Sequence, residues 1–103
     1  METGYVYLWQ YRVRSESIAE FERIYGPHGD WVQLFQKYAG YIRTELYRDL
    51  QTPGRYLTVD YWQSAEAYRA FRQASTLEFD ALDRACEKLT TQEVFLGEFS
   101  FIG

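Results

Sequence analysis

Apolar residues in this chain recur with two different periods, and the order in which the periods change leaves few ways to fold it. From Tyr5 to Arg14 the period is two, with Tyr5, Tyr7, Trp9, Tyr11 and Val13 opposed to Val6, Leu8, Gln10, Arg12 and Arg14. Helical spacing follows at Ile18, Phe21, Ile24 and Tyr25. Gly26-Pro27-His28-Gly29 must interrupt that helix, because Pro27 lacks the N–H that would continue it. The helix resumes through Trp31, Leu34, Phe35 and Tyr38 and ends at Gly40. Alternation then returns, setting Ile42, Thr44 and Leu46 against Tyr41, Arg43, Glu45 and Tyr47. Thr52-Pro53-Gly54 reads as a hairpin connection into a third strand, with Leu57, Val59 and Tyr61 opposed to Tyr56, Thr58, Asp60 and Trp62. A second helical stretch carries Ala67, Tyr68 and Phe71, breaks near Ala74-Ser75, and continues through Phe79, Leu82, Cys86 and Leu89. Glu93 to Ile102 is the last strand. Ser64 reads as an N-cap, and Ser17 with Glu20, Asp30 with Gln33, and Ser75 with Glu78 fit capping boxes.

The order is β-α-β-β-α-β, the ferredoxin-like α+β arrangement, in one domain spanning 1–103. Four antiparallel strands are expected to carry two broken helices on one face. The other face needs a cover, since the last strand is apolar on both sides: Phe95, Phe99 and Phe101 on one, Val94, Leu96 and Ile102 on the other. A homodimer with two sheets face to face would supply it.

Composition narrows the function. Lys and Arg number 11 against 15 Asp and Glu, for a net charge of −4, and no basic run occurs, which argues against nucleic-acid binding. No apolar stretch is long enough to span a membrane and no leader pattern follows Met1, so a cytoplasmic protein is expected. One Cys and one His argue against a metal site of the Cys/His type, and Cys86 on an apolar helix stripe reads as a core residue. Aromatic residues are in excess, with 3 Trp, 10 Tyr and 7 Phe, which suits an interface or a pocket for a flat ligand.

The stretch from Arg55 through Trp62 and Tyr68 to Phe71, with the opening Val6–Val13 and the helix bearing Phe21 and Tyr25, resembles the antibiotic biosynthesis monooxygenase (ABM) domain of the dimeric α+β barrel superfamily. The resemblance runs from about Tyr5 to Phe101. It implies a dimeric α+β barrel in a family that includes cofactor-free quinone-forming oxygenases and haem-degrading enzymes. In the quinone-forming members a Trp ending the third strand and a Tyr six residues later line the substrate pocket, which points to Trp62 and Tyr68. Those enzymes carry an Asn four residues before the Trp, where this chain has Thr58, and a hydroxyl cannot make the two-sided contact of an amide. Haem-degrading members place an iron-binding His ten residues after the Trp, where this chain has Arg72.

Two candidates for proton transfer come from the residues themselves. Asp60 shares a strand face with Trp62; if that face is buried, its pKa rises and it can act as a base, unless it pairs with Arg43 or Arg12. His28, the single imidazole, sits in a turn that could hold it over a pocket mouth or leave it in solvent. The Tyr5-Tyr7-Trp9-Tyr11 stripe either lines the same pocket or packs under the helices. The expected function is a cofactor-independent monooxygenase or oxidase, needing no metal, that acts on a small quinol- or phenol-like aromatic. Asp60 or His28 would take the proton, and Trp62, Tyr68, Thr58 and Arg72 would contact the substrate. The alternative is a non-catalytic dimeric module that binds a small aromatic metabolite or serves only in assembly, which the changes at Thr58 and Arg72 favour.

Overall fold

In a computed structural model, residues 4–102 are described. The strands are β1 (Tyr5–Val13), β2 (Tyr41–Arg48), β3 (Arg55–Trp62) and β4 (Thr90–Ser100). The helices are α1 (Ile18–Tyr25), α2 (Asp30–Phe35), α3 (Ala65–Ala74) and α4 (Thr76–Cys86), with 3₁₀ turns at Ser15–Ser17 and Glu87–Leu89. The sheet order is β2-β3-β1-β4 and each neighbouring pair is antiparallel. This is the ferredoxin-like α+β arrangement expected, with α1/α2 and α3/α4 as its two broken helices.

Helix starts are set by different groups than the sequence suggests. Ser64 does cap α3, its Oγ accepting from the Ala67 N–H at 3.0 Å. The three expected capping boxes do not form. Ser17 and Ser75 precede their helices without a side-chain cap bond, and Gly29 rather than Asp30 is the residue before α2. The acids that would close those boxes are used in ion pairs instead, Glu20 with Arg23 and Glu78 with Lys37. Glu78 also accepts from the Tyr38 hydroxyl at 3.1 Å, so it ties α4 to the segment after α2.

Register decides which side chains face the helices. Tyr7 pairs with Asp60, Trp9 with Thr58 and Tyr11 with Tyr56, so these six share one face. That face packs on Phe21, Tyr25, Phe35 and Phe71, which are at most 5% exposed. Phe35 meets Phe71 edge-on at 5.3 Å and Tyr11 meets Phe21 edge-on at 5.3 Å, while Phe21 and Tyr25 stack at 4.2 Å. The other face pairs Val6 with Phe99 and Tyr61, and Leu8 with Val59. No helix covers it, and Phe99 and Leu96 are 52% and 44% exposed.

Strict alternation is broken in two places that matter. The β1–β4 register shifts between Leu8 and Trp9, so Phe95 lies on the helix face, its ring 5.3 Å from Trp9. Phe99 stays on the uncovered face, and the two do not share one side as alternation had set them. The β2–β3 register shifts between Tyr41 and Arg43. Tyr41 therefore turns to the helix face, packing its ring on Phe35 and Trp62, where alternation had set it opposite Thr44.

Gly40 fixes how β2 starts beneath α3. Its φ is +94°, and a Cβ there would stand 2.5 Å from the Ala67 Cβ, while its carbonyl accepts from the Gln63 N–H at 2.7 Å. Gly40→Ala is expected to destabilise the fold by at least about 1–3 kcal/mol, from backbone strain alone, before the clash is added. Urea unfolding checks this, and an unchanged midpoint would contradict the packing.

Candidate active site

The sheet and the helices do not fill all the space between them. A cavity of about 320 Å³ remains, within the lower part of the range for small-molecule sites. Its buried floor is Tyr7 and Tyr11 from β1, Thr58 and Asp60 from β3, and Thr44 from β2. Trp31 and Phe35 from α2 and Tyr68 from α3 form walls. Exposed Arg72, Asp83 and Glu93 stand at the rim.

Asp60 is the one carboxyl on this floor, and it is only 6% exposed. The Thr44 hydroxyl donates to its Oδ1 at 2.5 Å. Burial pushes the Asp60 pKa up to about 7, partly opposed by the Thr44 hydrogen bond and by the nearby Tyr7 phenol. The same burial, with Asp60 close by, raises the pKa of Tyr7 well above that of a free phenol. A carboxyl that titrates near neutrality inside an aromatic cavity can take a proton from a ligand and release it again at physiological pH.

The cross-strand ion pair expected for Asp60 does not form. Arg43 reaches Glu45 at 3.2 Å and lies 3.9 Å over the Tyr61 ring, while Arg12 stands opposite Arg55. The register that runs unbroken from the β2–β3 hairpin sets Thr44, not Arg43, opposite Asp60. Among the described residues no ion pair involves Asp60.

The other candidate residues separate into those at the cavity and those behind it. Tyr68 lines it, its ring 4.7 Å from Tyr7. Arg72 lines it too, stacked 3.7 Å over the Phe79 ring, with Nη1 at 3.5 Å from the Tyr68 hydroxyl. Thr58 is buried on the floor, near the Tyr11 phenol but with its hydroxyl in no aligned hydrogen bond. Trp62 is fully buried and does not line the cavity; it meets Tyr68 edge-on at 5.6 Å and so backs the wall. His28 is exposed in the turn between α1 and α2 and is not among the lining residues. Cys86 is buried, and burial pushes its thiol pKa up.

Tyr7, Trp9 and Tyr11 do both things open to them, packing the sheet face and lining the cavity. Thr44 was missed. Its signal in the sequence was weak, a small polar residue at an alternating position, and only the register ties it to Asp60.

A model of the family described as antibiotic biosynthesis monooxygenase matches residues 5–78. The chain belongs to this family. Among curated proteins none matches the chain. Solved structures share the family member's fold at low identity. SnoaB, a cofactor-independent oxygenase from Streptomyces nogalater, is 20% identical with a TM-score of 0.76, over 98% of this chain and 95% of its own. PA3566 from Pseudomonas aeruginosa is 16% identical with a TM-score of 0.73, over 100% and 98%. A conserved protein from Methanosarcina mazei Go1 is 12% identical with a TM-score of 0.72, over 97% and 92%. At these identities the likeness is one of fold.

The raised pKa of Asp60 gives the ABM domain a stability signature. Its folded pKa of about 7 lies above the ordinary 3.8, so between those values the folded state holds more protons than the unfolded state. This contribution is present at low pH and is lost as pH rises from about 4 to 7. Relative to Asp60→Asn, the wild type is expected to lose up to about 4 kcal/mol across that window. Parallel denaturation curves from pH 4 to 8 measure the difference; a constant difference would contradict the burial of this carboxyl.

Proposed function

We propose that the protein is a cofactor-independent monooxygenase that oxidises a small electron-rich aromatic, a quinol or phenol, in the cavity above Asp60. The observation that carries this reading is a buried carboxyl, titrating near pH 7, on the floor of an aromatic-walled cavity. Asp60 takes the phenolic proton, and the resulting phenolate is electron-rich enough to reduce O₂ itself. One oxygen atom forms a C–O bond at a ring carbon that loses its hydrogen. The O–O bond then breaks and the second oxygen leaves as water. A phenol and O₂ thus give a quinone and water, with all four electrons supplied by the substrate. The protein contributes the base, the orientation and a dry site. Tyr68 donates to a substrate oxygen, Thr58 offers its free hydroxyl, and Arg72 at the rim favours the anion. Trp62 acts from behind, holding Tyr68 in place.

The same reading includes a homodimer. The uncovered face carries an apolar patch of Val6, Leu8 and Phe99, bordered by Arg43 and Glu45, and a second copy's sheet would bury it. Light scattering at micromolar concentration is expected to give twice the 12.3 kDa chain mass, and Phe99→Lys is expected to shift it toward the monomer. A wild type that is monomeric and well folded would contradict this.

Oxygen uptake with a panel of quinols and phenols tests the chemistry. Asp60→Asn is expected to lower kcat/KM on the responding substrate by about 10²–10⁴-fold. Tyr68→Phe removes one hydroxyl and almost no volume, so it should lower turnover about tenfold while the melting temperature stays within a few degrees. Binding of these aromatics without O₂ uptake would favour the non-catalytic module, to which Thr58 in place of an amide also inclines. Lowered stability of Tyr68→Phe with unchanged turnover would move Tyr68 into the core.

A further inference from the structure

A base that is spent once per turnover in a dry cavity must return its proton to water before it can act again. On the cavity side Asp60 faces the ligand, so the proton's way out must lie elsewhere. The groups around the carboxyl are few. From β1 come the Tyr7 and Tyr11 phenols, both buried, and from α3 come Tyr68 and Arg72, both beside the space a ligand would fill. From β2, the sheet's edge strand, comes Thr44.

Thr44 is linked onward. Its Oγ1 donates to Asp60 Oδ1 in a buried hydrogen bond, and it lies 2.8 Å from the Tyr41 hydroxyl in a half-buried one. A threonine hydroxyl has one proton. While that proton is given to Asp60, Tyr41 must be the donor to Thr44, so all three groups form one directed chain. The chain exists because the register shift after Tyr41 puts its hydroxyl on the face that Thr44 and Asp60 already share. The Tyr41 ring is held by Phe35 at 5.4 Å and by Trp62 at 5.4 Å, which fixes where its hydroxyl sits.

We propose that Thr44 and Tyr41 are a proton relay that carries the proton of Asp60 away from the cavity to the β2 edge of the sheet. The inference rests on Asp60 being the base of the proposed reaction. In the return step protonated Asp60 gives its proton to Thr44 Oγ1, Thr44 gives its own to the Tyr41 oxygen, and Tyr41 releases its own to water. Each hydroxyl ends with one proton, the carboxylate is regenerated, and one proton has left. The transfer requires both hydroxyls first to turn outward, Thr44 toward Tyr41 and Tyr41 toward water, and it leaves them in the arrangement seen here. Thr44 is also a positioning residue, because its hydrogen bond stabilises the ionised carboxylate, whereas Tyr41 touches Thr44 and has no hydrogen bond to Asp60.

Carbon-13 NMR of the protein labelled in its aspartate carboxyls reads both effects without a substrate, with the Asp60 signal assigned by its loss in Asp60→Asn. In the wild type the signal is expected to move with pH as one population-averaged resonance. Thr44→Val should move its midpoint up by about one pH unit, the size of one lost hydrogen bond to a charged group. Tyr41→Phe keeps the ring and the Thr44 bond, so the midpoint should barely move. The resonance should instead broaden or split into protonated and ionised forms, because exchange with water has slowed. A Tyr41→Phe signal that titrates with the wild-type line width would overturn the relay, since the proton would then be leaving by the cavity. Oxygen uptake is a separate readout. If no quinol is turned over while Tyr41→Phe shows slowed exchange, the oxygenase reading fails and the relay stands; turnover with unchanged exchange gives the reverse.

Discussion

A carboxyl held inside an aromatic wall without a cation is the constraint around which the rest of this molecule is arranged. Ionised and unpaired in such a place, Asp60 would cost several kcal/mol, and the structure reduces that cost without cancelling it. Thr44 donates one hydrogen bond and Tyr7 lies near enough to help. An arginine would have done more. It would also have held the carboxylate permanently ionised and far below neutrality, where it is a poor base. One hydroxyl in place of a guanidinium leaves Asp60 balanced near pH 7. Stability is given up so that a proton can be exchanged.

The fold supplies that balance through register. Antiparallel pairing of β3 with both β1 and β2 brings Tyr7 and Thr44 to either side of Asp60. Helices α3 and α4 then roof the same face, with Tyr68 and Arg72 one turn apart on α3 so that both reach the cavity. The opposite face lies away from the cavity, and its apolar residues are the ones the proposed dimer would bury. The two-residue period of the strands thus keeps the cavity and the uncovered apolar patch on opposite faces of one sheet.

Much of this was legible in the residues. Two periods in a fixed order gave the strand and helix sequence, and alternation placed Thr58 and Asp60 on the face of Trp62. The resemblance to the ABM pattern, counted from Trp62, pointed to Tyr68 and Arg72, both of which line the cavity. What alternation could not show is the shift between Tyr41 and Arg43, which swaps Tyr41 from one face to the other, or the hairpin register, which sets Thr44 rather than the expected Arg43 opposite Asp60. A bulge costs one residue and leaves no mark in composition. Trp62 was expected to contact the substrate and instead backs the wall, because a pattern gives a face and not a depth. The capping boxes failed because their acids had other partners: Glu20 pairs with Arg23 one turn along α1, and Glu78 with Lys37, which only the tertiary fold brings near.

The central claim is that a ligand oxygen in the cavity meets a carboxyl that changes charge near pH 7. Binding of 1,4-naphthoquinone, a flat and oxygen-stable acceptor, tests it through quenching of the tryptophans that line the site. A quinone carbonyl accepts a hydrogen bond from protonated Asp60 and is repelled by the carboxylate. The account predicts affinity that is highest below pH 6, falls through a midpoint near 7, and becomes independent of pH in Asp60→Asn. Affinity in the wild type that is flat from pH 5 to 9, or no binding at all, would contradict it.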